Sequence, residues 1–127
     1  MRISRAAGAM AVLAAGALLL EACNAGARQA AVLTGGDPER GRAAIFKYGC
    51  GSCHTVGGIP EAHGLVGPPL TGIRSRLYVG GVLPNTPENM VRWIRNPKEV
   101  DEKTAMPALG VSPRDAADLA AYLYSIR

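Results

Sequence analysis

Two cysteines and a histidine lie within five residues near the middle of the chain, in the order Cys50-Gly51-Ser52-Cys53-His54. The pattern C-x-x-C-H is typical of c-type haem attachment. Cysteines three residues apart can each form a thioether with one of the two vinyl groups along one edge of a haem. The histidine directly after the second cysteine can then act as an axial ligand of the iron. The motif therefore predicts one covalently bound haem.

Other chemistries use the same residue types. A thioredoxin-like dithiol shares the C-x-x-C spacing but requires a βαβ setting, and the sequence shows no such pattern. A structural zinc site needs four ligands, and four candidates can be counted: Cys50, Cys53, His54 and His63. Adjacent Cys and His residues suit one tetrahedral site poorly. A disulfide between the two cysteines is the simplest alternative. Haem attachment is favoured because the single motif lies in a chain with a predicted export signal and a helical, loop-rich remainder.

A second axial ligand has to come from elsewhere in the chain. His63 follows His54 by nine residues in a glycine-flanked loop, and the methionines beyond the N-terminal segment are Met90 and Met106. Met90 falls on the apolar face of a predicted helix, where a methionine is more often part of the core. Met106 lies in a loop that Pro107 stiffens. We expect Met106 to be the ligand and His63 to be an exposed loop residue. His/Met ligation raises the reduction potential of a haem and suits electron transfer.

Three helices are predicted to position these residues. Each begins at a capping residue followed by proline, and an acid lies close behind it. The three signatures are Asp37-Pro38-Glu39, Thr86-Pro87-Glu88 and Ser112-Pro113-Arg114-Asp115. Gly49 and Pro97 end the first two helices, and the third runs to the C-terminus.

Glycine and proline dominate the segments between these helices. Residues 55–85 and 98–111 contain no long periodic run and are predicted to be loops, and no strand pattern is convincing. The predicted fold class is all-α, a small loop-rich domain wrapped around one haem. The haem would also fill the core, because the chain has only one Trp, one Phe and four Tyr and about 100 residues bury little surface on their own.

The N-terminus has the features of a secretory signal. Residues 1–5 carry two arginines, and residues 6–20 are uncharged and apolar, which is shorter than the ~20 residues of a transmembrane helix. We expect residues 1–22 to be a signal peptide, residues 23–36 to be a flexible tether and residues 37–127 to form the domain. Export would place the domain in a bacterial periplasm.

Cys23 is the odd one of three cysteines. The segment Leu20-Glu21-Ala22-Cys23 resembles a bacterial lipobox, so cleavage before Cys23 would leave an acylated cysteine as a membrane anchor. The alternative is ordinary cleavage after Ala25-Gly26-Ala27, before Arg28. The lipoprotein interpretation is favoured because Cys23 directly follows the apolar stretch and a lone cysteine in an exported chain needs a role.

The charge of the chain argues against nucleic-acid binding. Fourteen Lys and Arg residues face ten Asp and Glu, a net charge of +4. The basic residues are scattered among acids and form no basic stripe of the kind that nucleic-acid binders show. A mild positive field suits an acidic protein partner instead.

Several segments together are similar to the class I, mitochondrial-type, monohaem cytochromes c. Besides the C-x-x-C-H motif they are Gly67-Pro68-Pro69-Leu70, Trp93-Ile94-Arg95-Asn96-Pro97, Ala105-Met106-Pro107 and Ala121-Tyr122-Leu123. The resemblance covers residues from about 37 to 127. It implies an electron carrier rather than an enzyme, with His54 and Met106 as axial ligands of one haem c.

The same resemblance implies roles for four neighbouring residues. The carbonyl of Pro68 would accept a hydrogen bond from the ring of His54 and so orient it, and Leu70 would pack against the haem. Arg76 lies where the family often places an arginine near a haem propionate. Trp93 matches an aromatic residue that packs beside the methionine ligand.

Residues 75–86, together with Trp93 and Ile94, also resemble the cytochrome c domain of some oxidase subunits II. The implied partners are a terminal oxidase, a cytochrome bc-type complex or a dehydrogenase of a respiratory chain. Three functions remain open at this point. They are a one-electron carrier between membrane or periplasmic partners, a dedicated cytochrome subunit of a larger dehydrogenase or oxidase complex, and a haem enzyme or gas sensor from which Met106 dissociates.

Overall fold

The protein is described by a computed structural model over residues 25–126. Its helices are α1 (residues 25–34), α2 (Pro38–Lys47), α3 (Pro87–Arg95), α4 (Pro97–Val100) and α5 (Pro113–Ser125). Two 3-10 turns span Cys50–Ser52 and Ile73–Ser75, and the short strands β1 (Tyr78–Val79) and β2 (Leu83–Pro84) form an antiparallel hairpin. The all-α, loop-rich class is confirmed, with this hairpin as its one addition within the described residues.

The three predicted helix starts each have the capping hydrogen bond. The Asp37 carboxylate accepts from the backbone N–H groups of Glu39 and Arg40 at 2.8 and 3.0 Å. The Thr86 hydroxyl accepts from the N–H of Asn89 at 3.2 Å, and the Ser112 hydroxyl accepts from the N–H of Asp115 at 3.1 Å. Local chemistry at each N-terminus therefore sets where α2, α3 and α5 begin.

The hairpin and α4 lie in segments that were predicted to be loops. Val79 pairs with Leu83 and Tyr78 with Pro84, and the turn between the strands is formed by Gly80 and Gly81, both at positive φ. Strands of two residues are too short to show an alternating pattern, and glycine supplies the left-handed conformation that the turn requires. Helix α4 is a single turn after Pro97.

The segment that was predicted to be a flexible tether differs in the structure. Residues 25–34 are helical, Ala30 is fully buried, and the side-chain oxygen of Gln29 accepts a hydrogen bond from Arg74 at 2.8 Å. Alanine is the best helix former, so an alanine-rich stretch with a surface to pack against becomes a helix. The predicted signal peptide and Cys23 lie outside the described residues. None of the helices within residues 25–126 is long and apolar enough to cross a membrane.

The core forms where α2 crosses α5. A Cβ atom on Gly41 would lie 2.8 Å from the Cβ atom of Tyr122 and would overlap the backbone of Asp118, so glycine permits the close approach of the two helices. Ile45 and Leu119 are buried beside the crossing. Asp118 is also buried, and its carboxylate accepts from Arg40 Nε at 2.7 Å and Nη2 at 2.8 Å. The Arg40 guanidinium lowers the pKa of Asp118 and ties α2 to α5.

A second charged contact between these helices predicts acid sensitivity. Lys47 Nζ at 2.7 Å and the Tyr48 hydroxyl at 2.6 Å both donate to one carboxylate oxygen of Asp115, and they lower the pKa of Asp115 to about 2. A carboxyl whose pKa is depressed on folding stabilises the fold above its unfolded pKa of about 4 and loses that effect as the pH falls towards 2. We therefore expect Asp115→Asn to lower the free energy of unfolding at pH 7 and to change it little near pH 2.

Denaturant unfolding of the two proteins at several pH values measures this difference. Glu102→Gln, at an exposed loop position, is the matched control and is expected to leave the pH profile unchanged. An equal loss of stability in Asp115→Asn at pH 7 and pH 2 would contradict the assignment.

Candidate functional site

The two cysteines of the motif lie at the start of the short 3-10 turn that follows α2 and directly after its end. Gly49 has a φ of +67° and lets the chain leave the helix in a conformation that other residues rarely adopt. The N–H groups of Cys53 and His54 both donate to the carbonyl of Cys50, at 3.2 and 3.0 Å. The turn thus holds the two thiols and the imidazole within five residues of one tight bend.

The arrangement of the two cysteines bears on the disulfide, zinc-site and dithiol interpretations of this motif. Cys50 and Cys53 are half-buried free thiols, and burial raises the pKa of the Cys50 thiol. Among the described residues no group of three or more His, Cys, Asp or Glu side chains is placed to hold a metal ion. Neither a disulfide nor a zinc site is formed here, and the hairpin is not a βαβ unit.

The ring of His54 is oriented by the backbone of the loop that follows it. Its Nδ1 atom lies 2.7 Å from the carbonyl oxygen of Pro68, and since a carbonyl can only accept, Nδ1 carries the proton. The lone pair of Nε2 is then available as a metal ligand, and the hydrogen bond fixes the orientation of the ring. The N–H of Gly67 donates to the carbonyl of Cys53 at 2.8 Å and the N–H of Leu70 to that of Thr55 at 2.8 Å. These bonds lay the 67–70 segment directly against the motif.

Gly67 is required by the packing of this ring. A Cβ atom at Gly67 would lie 2.6 Å from Nδ1 and 2.9 Å from Nε2 of His54, and real side chains do not approach so closely. The backbone of Gly67 therefore forms one wall of the space that holds the imidazole.

Gly67→Ala is expected to displace the His54 ring and to break its hydrogen bond to Pro68. Overpacking of this kind costs about 1–3 kcal/mol, and the variant should retain less haem and unfold at a lower temperature. Thermal unfolding and haem content of the purified protein measure the two effects. Gly26→Ala in α1, where nothing lies within 4 Å of the added carbon, is the control and is expected to be neutral or slightly stabilising. Wild-type stability and haem content in Gly67→Ala would contradict this packing.

The other predicted site residues lie on three further segments. Arg76 donates through Nη2 to the carbonyl of Pro69, beside the contact between Pro68 and His54. Leu70 is half-buried against the core. Trp93, on α3, covers Gly80 so closely that a Cβ atom there would lie 2.6 Å from two atoms of its indole ring.

Met106 and His63 occupy different loops. Met106 is half-buried in the loop between α4 and α5, and its N–H donates to the hydroxyl of Thr104 at 3.2 Å. His63 is exposed, as expected, and its backbone forms a bridge with Thr55. The hydrogen bonds of the structure therefore join the motif to Pro68 and Arg76, whereas those of Met106 stay within its own loop.

Large apolar side chains are exposed on the segment that is hydrogen-bonded to the motif and at Leu77, after the second 3-10 turn. Leu65 and Val66, directly before Gly67, are 88% and 79% exposed, and Leu77 is 81% exposed. Contiguous exposed apolar surface marks a site that a ligand or partner covers. Two free thiols, an imidazole with one nitrogen available, and apolar side chains around them are the groups that a covalent haem requires. The residues present fit that group.

Sequence reasoning missed Asn85 and Tyr124. The Tyr124 hydroxyl donates to the side-chain oxygen of Asn85 at 2.7 Å, and Asn85 Nδ2 donates to the carbonyls of Ile73 and Arg76 at 2.8 and 2.9 Å. In the sequence Asn85 is only the residue before a helix cap. Its partners lie up to 39 residues away, so no local signal identifies it.

Comparisons with known proteins agree with these features. The family model described as Cytochrome c matches residues 38–127. Over 89 residues the chain is 36% identical to Cytochrome c oxidase subunit 2 of Alkalihalophilus pseudofirmus, an alignment that covers 69% of this chain and 25% of that protein. Over 79 residues it is 37% identical to Cytochrome c2 iso-2 of Rhodospirillum centenum, with 49% of this chain and 60% of that protein covered. The chain thus spans a quarter and three fifths of these two relatives. No solved structure matches at a comparable level.

Proposed function

The chain belongs to the cytochrome c family, and on that premise we propose that it carries single electrons on one haem c whose iron is ligated by His54 and Met106. Membership implies an electron-transfer protein with one covalent haem, and Cys50 and Cys53 have the spacing that attaches it. The observation that carries the proposal is the hydrogen bond from His54 Nδ1 to the Pro68 carbonyl, beside two free thiols. It leaves Nε2 of His54 as the ligand atom.

The proposed role of each residue follows from the chemistry of its side chain or backbone. The haem iron supplies the one-electron couple. The imidazole of His54 would hold the iron through its Nε2 lone pair, and the Pro68 carbonyl holds the ring in one orientation. Of the two methionines in the described residues, Met90 lies on α3 and Met106 lies in the loop between α4 and α5. Met106 is therefore the proposed thioether ligand, and such a ligand raises the reduction potential of the haem. If His54 and Met106 both held the iron, no site for a substrate would be expected on it.

Carbon monoxide distinguishes a carrier from a haem enzyme or gas sensor. Because two protein ligands leave no open position on the iron, the reduced wild-type protein is expected not to bind carbon monoxide at neutral pH. The visible spectrum before and after addition of the gas measures binding. Rapid, stoichiometric binding would overturn Met106 as a permanent ligand and favour the enzyme or sensor.

Electron transfer to partners would occur through a small transient interface. The exposed apolar side chains of Leu65 and Val66 lie next to the motif, and interfaces of this kind bury less than about 1,200 Å². Without the predicted signal peptide the chain keeps 12 of its 14 basic and nine of its 10 acidic residues, a net charge of +3, which suits an acidic partner surface, so we expect association rates to fall as ionic strength rises. The proposed partners are respiratory proteins, namely a terminal oxidase, a cytochrome bc-type complex or a dehydrogenase.

A second candidate function is that of a dedicated cytochrome subunit in a larger complex. The similarity to a protein named Cytochrome c oxidase subunit 2 favours it. The two candidates share the haem chemistry. They differ in whether the chain diffuses between partners or stays bound in one complex. Native electrophoresis of gently solubilised membranes, stained for haem, separates them. A band at the mass of the single chain supports the carrier, and a band that co-migrates with oxidase or dehydrogenase activity supports the subunit.

We further propose that the mature protein is a periplasmic lipoprotein anchored at Cys23. The support is the sequence Leu20-Glu21-Ala22-Cys23 at the end of an apolar stretch. Labelled palmitate is expected to enter the wild-type protein and not Cys23→Ala. Absence of label in the wild-type protein would reject the anchor and favour cleavage before Arg28.

A further inference from the structure

Asn85 uses its backbone N–H and both polar atoms of its side chain in hydrogen bonds. Its backbone N–H donates to the carbonyl of Leu77 at 2.9 Å. Its side-chain N–H groups donate to the carbonyls of Ile73 and Arg76 at 2.8 and 2.9 Å, and its side-chain oxygen accepts from the Tyr124 hydroxyl at 2.7 Å. A single half-buried amide therefore fastens the turn that carries Arg76 to helix α5.

Arg76 is held at both of its ends. Its backbone carbonyl is bound by Asn85, and its guanidinium donates to the carbonyl of Pro69. Pro69 directly follows Pro68, whose own carbonyl accepts from Nδ1 of His54 at 2.7 Å. A series of four hydrogen bonds, linked covalently through Arg76 and through the Pro68–Pro69 segment, thus runs from α5 to the imidazole of the motif.

We propose that Asn85 is a positioning residue which, through Arg76 and the adjacent Pro68–Pro69 segment, fixes the orientation of the His54 ring. The inference rests on the proposed function in one respect, since the importance of that orientation depends on His54 being an iron ligand. Arg76 then stabilises the loop through its hydrogen bond to the Pro69 carbonyl, independently of any contact with a haem propionate.

The donor at the far end of the series suits this role. Tyr124 is buried on α5, and burial raises the pKa of its hydroxyl to about 12. The hydroxyl therefore remains a neutral donor throughout the physiological range. Helix α5 also packs on α2, which leads into the motif. The loop, through Asn85, and the cysteine turn, through α2, are therefore both anchored to α5.

The exchange rate of the His54 Nδ1 proton with solvent reports directly on the bond to Pro68. It is measured by NMR on the reduced, haem-loaded, full-length protein. We expect Asn85→Ala and Asn85→Asp to raise this rate about fivefold, the factor for loss of one ordinary hydrogen bond. Asn85→Asp keeps the size of the side chain and the acceptor for Tyr124, and it replaces the N–H donors by a carboxylate oxygen that cannot donate to the carbonyls of Ile73 and Arg76.

Two controls separate orientation from general loss of stability. Asn89→Ala removes another amide that donates to a backbone carbonyl, that of Pro84 at 2.9 Å, outside the series. Ser112→Ala removes the cap of α5 and lowers stability by a comparable amount. Both are expected to leave the Nδ1 exchange rate within twofold of the wild-type rate.

A double-variant cycle tests whether Asn85 acts through Arg76. We expect the double variant Asn85→Ala, Arg76→Ala to exchange no faster than Arg76→Ala alone, because both substitutions break one series. Wild-type exchange in Asn85→Ala, the same increase in Ser112→Ala, or additive increases in the double variant would each overturn the proposal. Failure of the proposed function is visible separately in the wild-type protein. If the ring protons of His54 lack the chemical shifts of an iron ligand, His54 does not bind the iron.

Discussion

Replacement of both Cys50 and Cys53 by serine is expected to abolish covalent haem attachment completely. Each thioether needs a cysteine sulfur, and the two sulfurs of the 50–53 turn are free. The exported double variant should therefore release all of its haem on acid–organic extraction, whereas the wild-type protein should retain it. The intact mass of the denatured chain, with or without one haem, measures the outcome. Since the haem also completes the core of a small domain, the double variant should accumulate poorly.

Three single-cysteine variants serve as controls for this experiment. Cys50→Ser and Cys53→Ser are each expected to keep one thioether and so to retain haem after denaturation. Cys23→Ser, which lies outside the motif, should carry the same haem mass as the wild-type chain. A double variant that still holds haem covalently, or a Cys23 variant that loses it, would contradict the assignment of the two thiols.

Met106→Ala is expected to remove the sulfur ligand from the iron. The oxidised variant should lose the whole iron–sulfur charge-transfer band, and its reduction potential should fall, because methionine ligation raises the potential of a haem. The reduced variant should also bind carbon monoxide, which the wild-type protein is expected to exclude. Visible spectra and a redox titration of the two proteins measure these changes.

Met90→Leu is the matched control for the loss of a sulfur. Met90 is buried in the core on α3, 1% exposed, and leucine has nearly the same volume, so the substitution should cost less than about 1.5 kcal/mol. The charge-transfer band should be unchanged in this variant. A band that survives in Met106→Ala would reject Met106 as a ligand, and a band lost in Met90→Leu would move the ligand to α3.

The parts of the fold that were predicted correctly are those with a local cause. Asp37, Thr86 and Ser112 cap the helices that follow them, and the three capping bonds are present. The hydrogen bond between His54 and Pro68 also agrees with the expectation from the resemblance. At the three helix starts the residue type and its neighbours in sequence are enough to specify the structure, whereas the contact of His54 with Pro68, 14 residues away, was expected from the resemblance alone.

The parts that were missed depend on distant contacts. Residues 25–34 were read as a tether because Ala and Gly are common there, but Ala30 has a buried surface to pack on and the segment becomes helical. The partners of Asn85 lie on two loops and on α5. Residues 78–84 form a hairpin through two glycines at positive φ, with strands too short to carry a pattern. Tertiary packing decides all three features.

The most direct test of the central claim is a spectroelectrochemical titration of the wild-type protein after export in the presence of haem-attachment machinery. An electron carrier with one haem c predicts one haem per chain and a single reversible wave with a one-electron slope. The oxidised and reduced visible spectra should then interconvert through fixed isosbestic points. A chain that is exported intact without haem, or a haem whose spectrum does not change reversibly with potential, would contradict the claim.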